Sequence, residues 1–93
     1  MKVNVLYFAA ARESAGTKAE QLELPAGATA ADALAAACAV HPRLSALAGK
    51  LRLAVDQQFA EGSLPLREGA EVALIPPVAG GAGARRAGSR GGP

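Results

Sequence analysis

Residues 74–81, Leu-Ile-Pro-Pro-Val-Ala-Gly-Gly, set a hard stop to any regular structure that precedes them. A proline holds φ at about −65°, lacks an amide donor and pushes its predecessor into extended backbone. A strand that reaches Ile75 therefore stops pairing at Pro76 and leaves the body as a stiff segment. Gly80 and Gly81 have no Cβ, so the segment ends in the thinnest peptide available. Such a tail suits threading into another protein's active site. It suits a flexible linker after a last strand equally well.

The chain has 93 residues, 51% of them hydrophobic, which is room for one small domain and one modest core. A chain of this size buries well under ~70% of its unfolded surface. It contains no apolar run of the roughly 18 residues that a membrane span needs. Met1-Lys2-Val3 enters a strand pattern directly, where a signal peptide would place a cationic segment before an apolar one. Cys38, the single cysteine, can form neither an internal disulfide nor a cysteine metal cluster. The expected compartment is the reducing cytoplasm, with no membrane association. The net charge of +2 misleads: through Gly81 there are seven basic and eight acidic side chains, and Arg85, Arg86 and Arg90 follow. Basicity confined to a terminal segment argues against nucleic-acid binding by the fold.

Lys2 to Phe8 alternates and is rich in β-formers, with Val3, Val5 and Tyr7 on one face and Asn4, Leu6 and Phe8 on the other. Ala9 to Lys18 reads as a loop or short helical turn broken at Gly16. Glu20 to Leu24 alternates again and stops at Pro25, a second strand hairpinned on the first. Thr29-Ala30-Ala31-Asp32 fits a capping box with Asp in place of Glu. An alanine-rich helix should run from Ala30 to about Val40, burying a stripe of Ala31, Leu34 and Cys38. Pro42 closes it, and a second short helical turn reaches Gly49. Leu51 to Val55 is a strand, Asp56-Gln57-Gln58 a polar turn, Phe59-Ala60 a brief strand, and Glu71 to Ile75 the final strand. The order β-β-α-β-β predicts a twisted mixed sheet over one helix, an α+β domain, with the last strand parallel to the first. The domain ends at Gly81. Ala82 to Pro93 is a basic tail of glycine, alanine, serine, arginine and one proline that is expected to be disordered.

Enzymatic constellations are sparse. His41 stands alone beside Pro42 and reads as a surface or cap histidine. Cys38 reads as a small buried apolar residue more readily than as a nucleophile. The glycines from Gly80 to Gly83 lack the Gly-Lys-Ser/Thr ending and the following helix of a phosphate loop. No spacing suits a metal, so none is expected.

The ordered residues nonetheless resemble a known family. They are Val3 to Ala9, Arg12-Glu13, Gly16-Thr17, Thr29 to Leu34, Ala54 to Gln57, Leu64-Pro65-Leu66, Gly69 to Val72, and Pro76-Pro77-Val78-Ala79-Gly80-Gly81. In that order and spacing, over residues 1–81, the chain resembles the ubiquitin-like sulfur carriers, most closely the small subunits of molybdopterin synthases. The resemblance implies a β-grasp fold of four to five strands over one main helix. It also implies a protein that is a cosubstrate and holds no catalytic residue beyond its terminal glycine. The Gly81 carboxylate, carried on Gly80, would be adenylated by an ATP-using activating enzyme and converted to a thiocarboxylate. That sulfur would enter a pocket of the large synthase subunit and reach cyclic pyranopterin phosphate, in molybdenum cofactor biosynthesis. No cofactor would be bound; ATP is used by the activating enzyme. Two such chains on a dimeric large subunit would make a heterotetramer.

Phe8 and Ile75 are the expected docking patch, with Pro76, Pro77 and Val78 continuing it into the partner. The alternative is that the first loop covers Phe8 or that Ile75 completes the core. Arg12 and Lys50 read as solvated surface or as charge steering. In the relatives the diglycine ends the chain, whereas here twelve residues follow Gly81. A backbone amide at Gly81 cannot be adenylated, so a peptidase that removes Ala82 to Pro93 is an expected partner, unless those residues are extraneous or the role has changed. The alternatives are a sulfur carrier for thiamin, tRNA thiolation or cysteine synthesis, and a ubiquitin-like protein modifier or binding module.

Overall fold

Alternation written into the first strand decides which way the molecule faces. In the computed structural model, which describes residues 1–77, β1 (Lys2–Tyr7) buries Val3, Val5 and Tyr7 and turns Asn4 and Leu6 outward. A short helix α1 (Ala9–Ala15) follows and closes at Gly16, whose φ of +76° is the left-handed conformation that glycine adopts without cost. The chain returns antiparallel through β2 (Ala19–Glu23).

Helix α2 (Ala30–Val40) begins at the expected capping box. The Asp32 amide donates to Thr29 Oγ1 at 3.3 Å, and the Thr29 amide donates to Asp32 Oδ2 at 2.8 Å. The next free amides of that helix end are satisfied by the loop that follows β4: Ala30 donates to the Leu64 carbonyl and Ala31 to that of Gly62. The buried stripe differs from the expected one. Ala30, Ala33 and Ala37 are fully buried, Leu34 and Cys38 are half-buried at its edge, and Ala31 is exposed. In a helix made almost wholly of alanine, size gives no clue to the inward face. The close approach of backbone to sheet selects the i, i+3, i+7 line of methyl groups instead.

Two 3₁₀ turns, Pro42–Ala46 and Ala48–Lys50, carry the chain back to the sheet and bury Leu44. Strands β3 (Arg52–Val55) and β4 (Gln58–Ala60) form a hairpin whose two-residue turn, Asp56-Gln57, has positive φ at both positions. That is the turn whose twist matches the strands. Strand β5 (Glu71–Ile75) then inserts between β1 and β3, parallel to the first and antiparallel to the second. The sheet order is β2-β1-β5-β3-β4, a five-stranded mixed sheet in the β-grasp arrangement, with α1 as a second, smaller helix. Its inner face stacks Val5, Val72 and Val55 in one row and Tyr7, Leu74 and Leu53 in the next, beneath the alanines of α2. Val78, Gly80, Gly81 and the segment from Ala82 to Pro93 lie outside the described residues.

Candidate functional site

The outer face of the sheet carries more apolar surface than a solvated face requires. Register alone aligns Ala19, Leu6, Ala73, Ala54 and Phe59 in one row across all five strands. Small residues occupy the middle of that row and large ones stand on either side. The result is a groove of ≈ 340 Å³ between Phe8 and Phe59, floored by Leu6, Ala73 and Ala54 and bounded by Ile75. Phe8 is 45% exposed and Phe59 63% exposed, values at which an aromatic ring contributes little to the core.

Phe8 and Ile75, both expected at a docking patch, meet here. Phe8 caps the start of α1, and its amide donates to the Leu74 carbonyl at 3.3 Å, which ties it to the end of β5. Ile75 is half-buried, as is Pro76, and Pro77 is exposed beyond them. The prolines thus depart from the apolar end of the groove. At its other end Asn4 and Glu71 face each other across the β1–β5 ladder, so the face is polarised along the strands.

Phe59 was not among the expected site residues. The signal lies in parity: Val55 points inward, and a two-residue turn returns Gln58 opposite it, which sends Phe59 outward. The guanidinium of Arg52 lies over the Phe59 ring, 4.1 Å from its centroid. Arg12 and Lys18 line a neighbouring cleft against Phe8. Arg12 and Lys50 are both exposed, and neither forms an ion pair among the described residues.

On the opposite side of the sheet, His41 is the C-terminal cap residue of α2, as its position beside Pro42 suggests. It does not stand alone. Its Nε2 lies 2.5 Å from Glu20 Oε2, the same oxygen that accepts from the Tyr7 hydroxyl at 2.5 Å, and the two rings meet edge-on at 5.6 Å. The cluster ties β1, β2 and the end of α2 together. Burial, followed by the hydrogen bond to Glu20 and the charge of that carboxylate, pushes the Tyr7 phenol well above its ordinary range. Among the described residues no three His, Cys, Asp or Glu side chains gather as metal ligands, and no helix is long and apolar enough to cross a membrane.

Residues 5–81 match the model of the ThiS family. The chain is similar to the molybdopterin synthase sulfur carrier subunit of Chlamydomonas reinhardtii, with 40% identity over 83 residues that span 87% of this chain and 100% of that relative. Its similarity to the protein of the same description from Escherichia coli K12 is 42% identity over 82 residues, 85% of this chain and 99% of the other. The crystal structure of SAMP1 from Haloferax volcanii superposes with a TM-score of 0.80 at 28% identity, covering 87% of this chain and 100% of that one.

Proposed function

The chain belongs to the ThiS family, and from that premise we propose that it is the sulfur carrier subunit of a molybdopterin synthase. It delivers sulfur from a thiocarboxylate on Gly81 to cyclic pyranopterin phosphate. The observation that carries this reading is the placement of β5: the strand that precedes Pro76-Pro77 lies at the centre of the sheet and leaves it beside an exposed apolar groove. Docking and delivery are thereby set in one line.

The chemistry follows from the residues. A carboxylate is a poor electrophile until one oxygen joins a phosphoanhydride, so the Gly81 carboxylate attacks the α-phosphate of ATP on an activating enzyme and pyrophosphate leaves. A hydrosulfide-level sulfur nucleophile then attacks the acyl carbon, the C–S bond forming as the C–O bond to AMP breaks. The resulting thiocarboxylate is a soft nucleophile on a segment with no Cβ at Gly80 or Gly81, narrow enough for a closed pocket. The large synthase subunit supplies that pocket and its acid–base groups, two carrier chains serving one dimer. Phe8, Ile75, Pro76 and Pro77 hold the carrier against it, and Val78 continues into the partner.

A Gly81 carboxylate exists only after Ala82 to Pro93 are cleaved away, so a peptidase acts first. Pyrophosphate release with purified activating enzyme tests the scheme. Chain ending at Gly81 is expected to react, and the 93-residue chain is expected to be inert. Equal rates for both lengths without any peptidase would place the reactive end elsewhere and overturn the reading. Similarity to SAMP1, a small archaeal modifier protein, favours protein modification as the second reading. An isopeptide remnant of Gly81 on cellular lysines would support it.

A further inference from the structure

We propose that Arg52, stacked on Phe59, is a carboxylate receptor that selects the protein docking on the outer sheet face. The inference rests on the carrier reading above and adds the chemistry by which the large subunit is recognised: an apolar anchor bordered by an Asp or Glu side chain.

The ring face of Phe59 attracts the Arg52 cation at 4.1 Å. That contact restrains a side chain whose immobilisation would otherwise oppose binding. A guanidinium held over a ring keeps its N–H donors in the planar fork that matches a carboxylate. Arg52 is exposed and joins none of the ion pairs among the described residues, which link Met1 to Glu23, His41 to Glu20 and Arg67 to Asp56.

Position gives the receptor its purpose. Arg52 faces Ile75 across the β3–β5 ladder, at the end of the groove from which Pro76 departs. Arg12 and Lys18 stand on the far flank, beside Phe8. Cations therefore flank the apolar strip at the end where delivery occurs, with Glu61 in the cleft beside Arg52 and Phe59 but in no ion pair with Arg52, and Glu71 lies at the other end. A partner with carboxylates around its apolar anchor fits this face in one orientation, and a basic partner is repelled. Restrained by the ring, Arg52 is the cation of the three whose geometry is set in advance.

The test is calorimetric titration of the large synthase subunit with the 93-residue chain and, in parallel, with the chain ending at Gly81. Arg52→Ala is expected to weaken binding about tenfold, and Arg52→Glu by about a hundredfold, the range in which a close interfacial charge pair operates. Arg52→Lys keeps the charge and loses the planar fork, so most of the alanine loss should remain. Phe59→Leu keeps apolar bulk and removes the ring, and the Arg52→Ala penalty should shrink in that background. Phe8→Glu serves as the control that empties the face. If wild type binds, Phe8→Glu does not, and Arg52→Ala and Arg52→Lys both stay within twofold of wild type, the receptor is overturned and the carrier reading stands. If the wild-type chain ending at Gly81 fails to bind the large subunit, both are overturned. Melting of each variant verifies the fold.

Discussion

Tyr7 joins two demands that seldom coincide, a ring buried to 2% exposure and a hydroxyl that must find a partner. Glu20 answers the second and is itself met by His41. Folding favours the neutral phenol, so the native value lies above the ordinary 10.0. With that sign, the contribution to stability is fully present below the ordinary value and is lost as pH rises beyond it through the folded value. Alkaline unfolding of wild type should therefore steepen above that point, and Tyr7→Phe should flatten the profile there while losing stability at neutral pH. Urea midpoints across the alkaline range check this; parallel profiles would show that the phenol is not linked to folding. The alternation of Val3, Val5 and Tyr7 was legible in the sequence, but the Tyr7–Glu20–His41 cluster was not. It depends on the register of β2 against β1 and on where α2 ends, and neither is a local property.

At the level of elements, short-range chemistry wrote itself clearly. Gly16 closes α1, Thr29 and Asp32 open α2, and Pro76 ends β5 where proline geometry requires. Thr29→Ala should cost about 1 kcal/mol, a fall in Tm of roughly 4–8 °C, with Thr29→Ser restoring most of it. No change on Thr29→Ala would mean that the Leu64 and Gly62 carbonyls alone hold the helix end. What short-range chemistry left open is how elements turn toward one another. The inward face of α2 was misplaced because alanines do not differ in size, and Phe59 went unassigned because β4 spans only three residues, Gln58–Ala60. Only its pairing with β3 reveals that Phe59 shares a face with Ile75 and Phe8. Half of the candidate docking face was thus readable from strand alternation, and the half that includes Arg52 and Phe59 required the sheet.

For the molecule as a whole, the core closes within the described residues: every buried side chain from Val3 to Leu74 packs into one cluster or onto its sheet. Residues 82–93 hold only glycine, alanine, serine, arginine and proline. Truncation after Gly81 is accordingly expected to leave Tm unchanged in a thermal melt. A fall of more than about 4 °C, the mark of ~1 kcal/mol in a domain of this size, would show that those residues pack on the body. The central position of β5 has a mechanical consequence as well. Its two ladders, to β1 and to β3, run alongside the direction in which Pro76 leaves. A pull on the segment beyond Pro77, such as a pocket gripping the diglycine while the body fluctuates, loads those hydrogen bonds in shear, all together, where an edge strand peeled from one end would lose them singly. The carrier can be tugged by the segment beyond Pro77 and keep its shape.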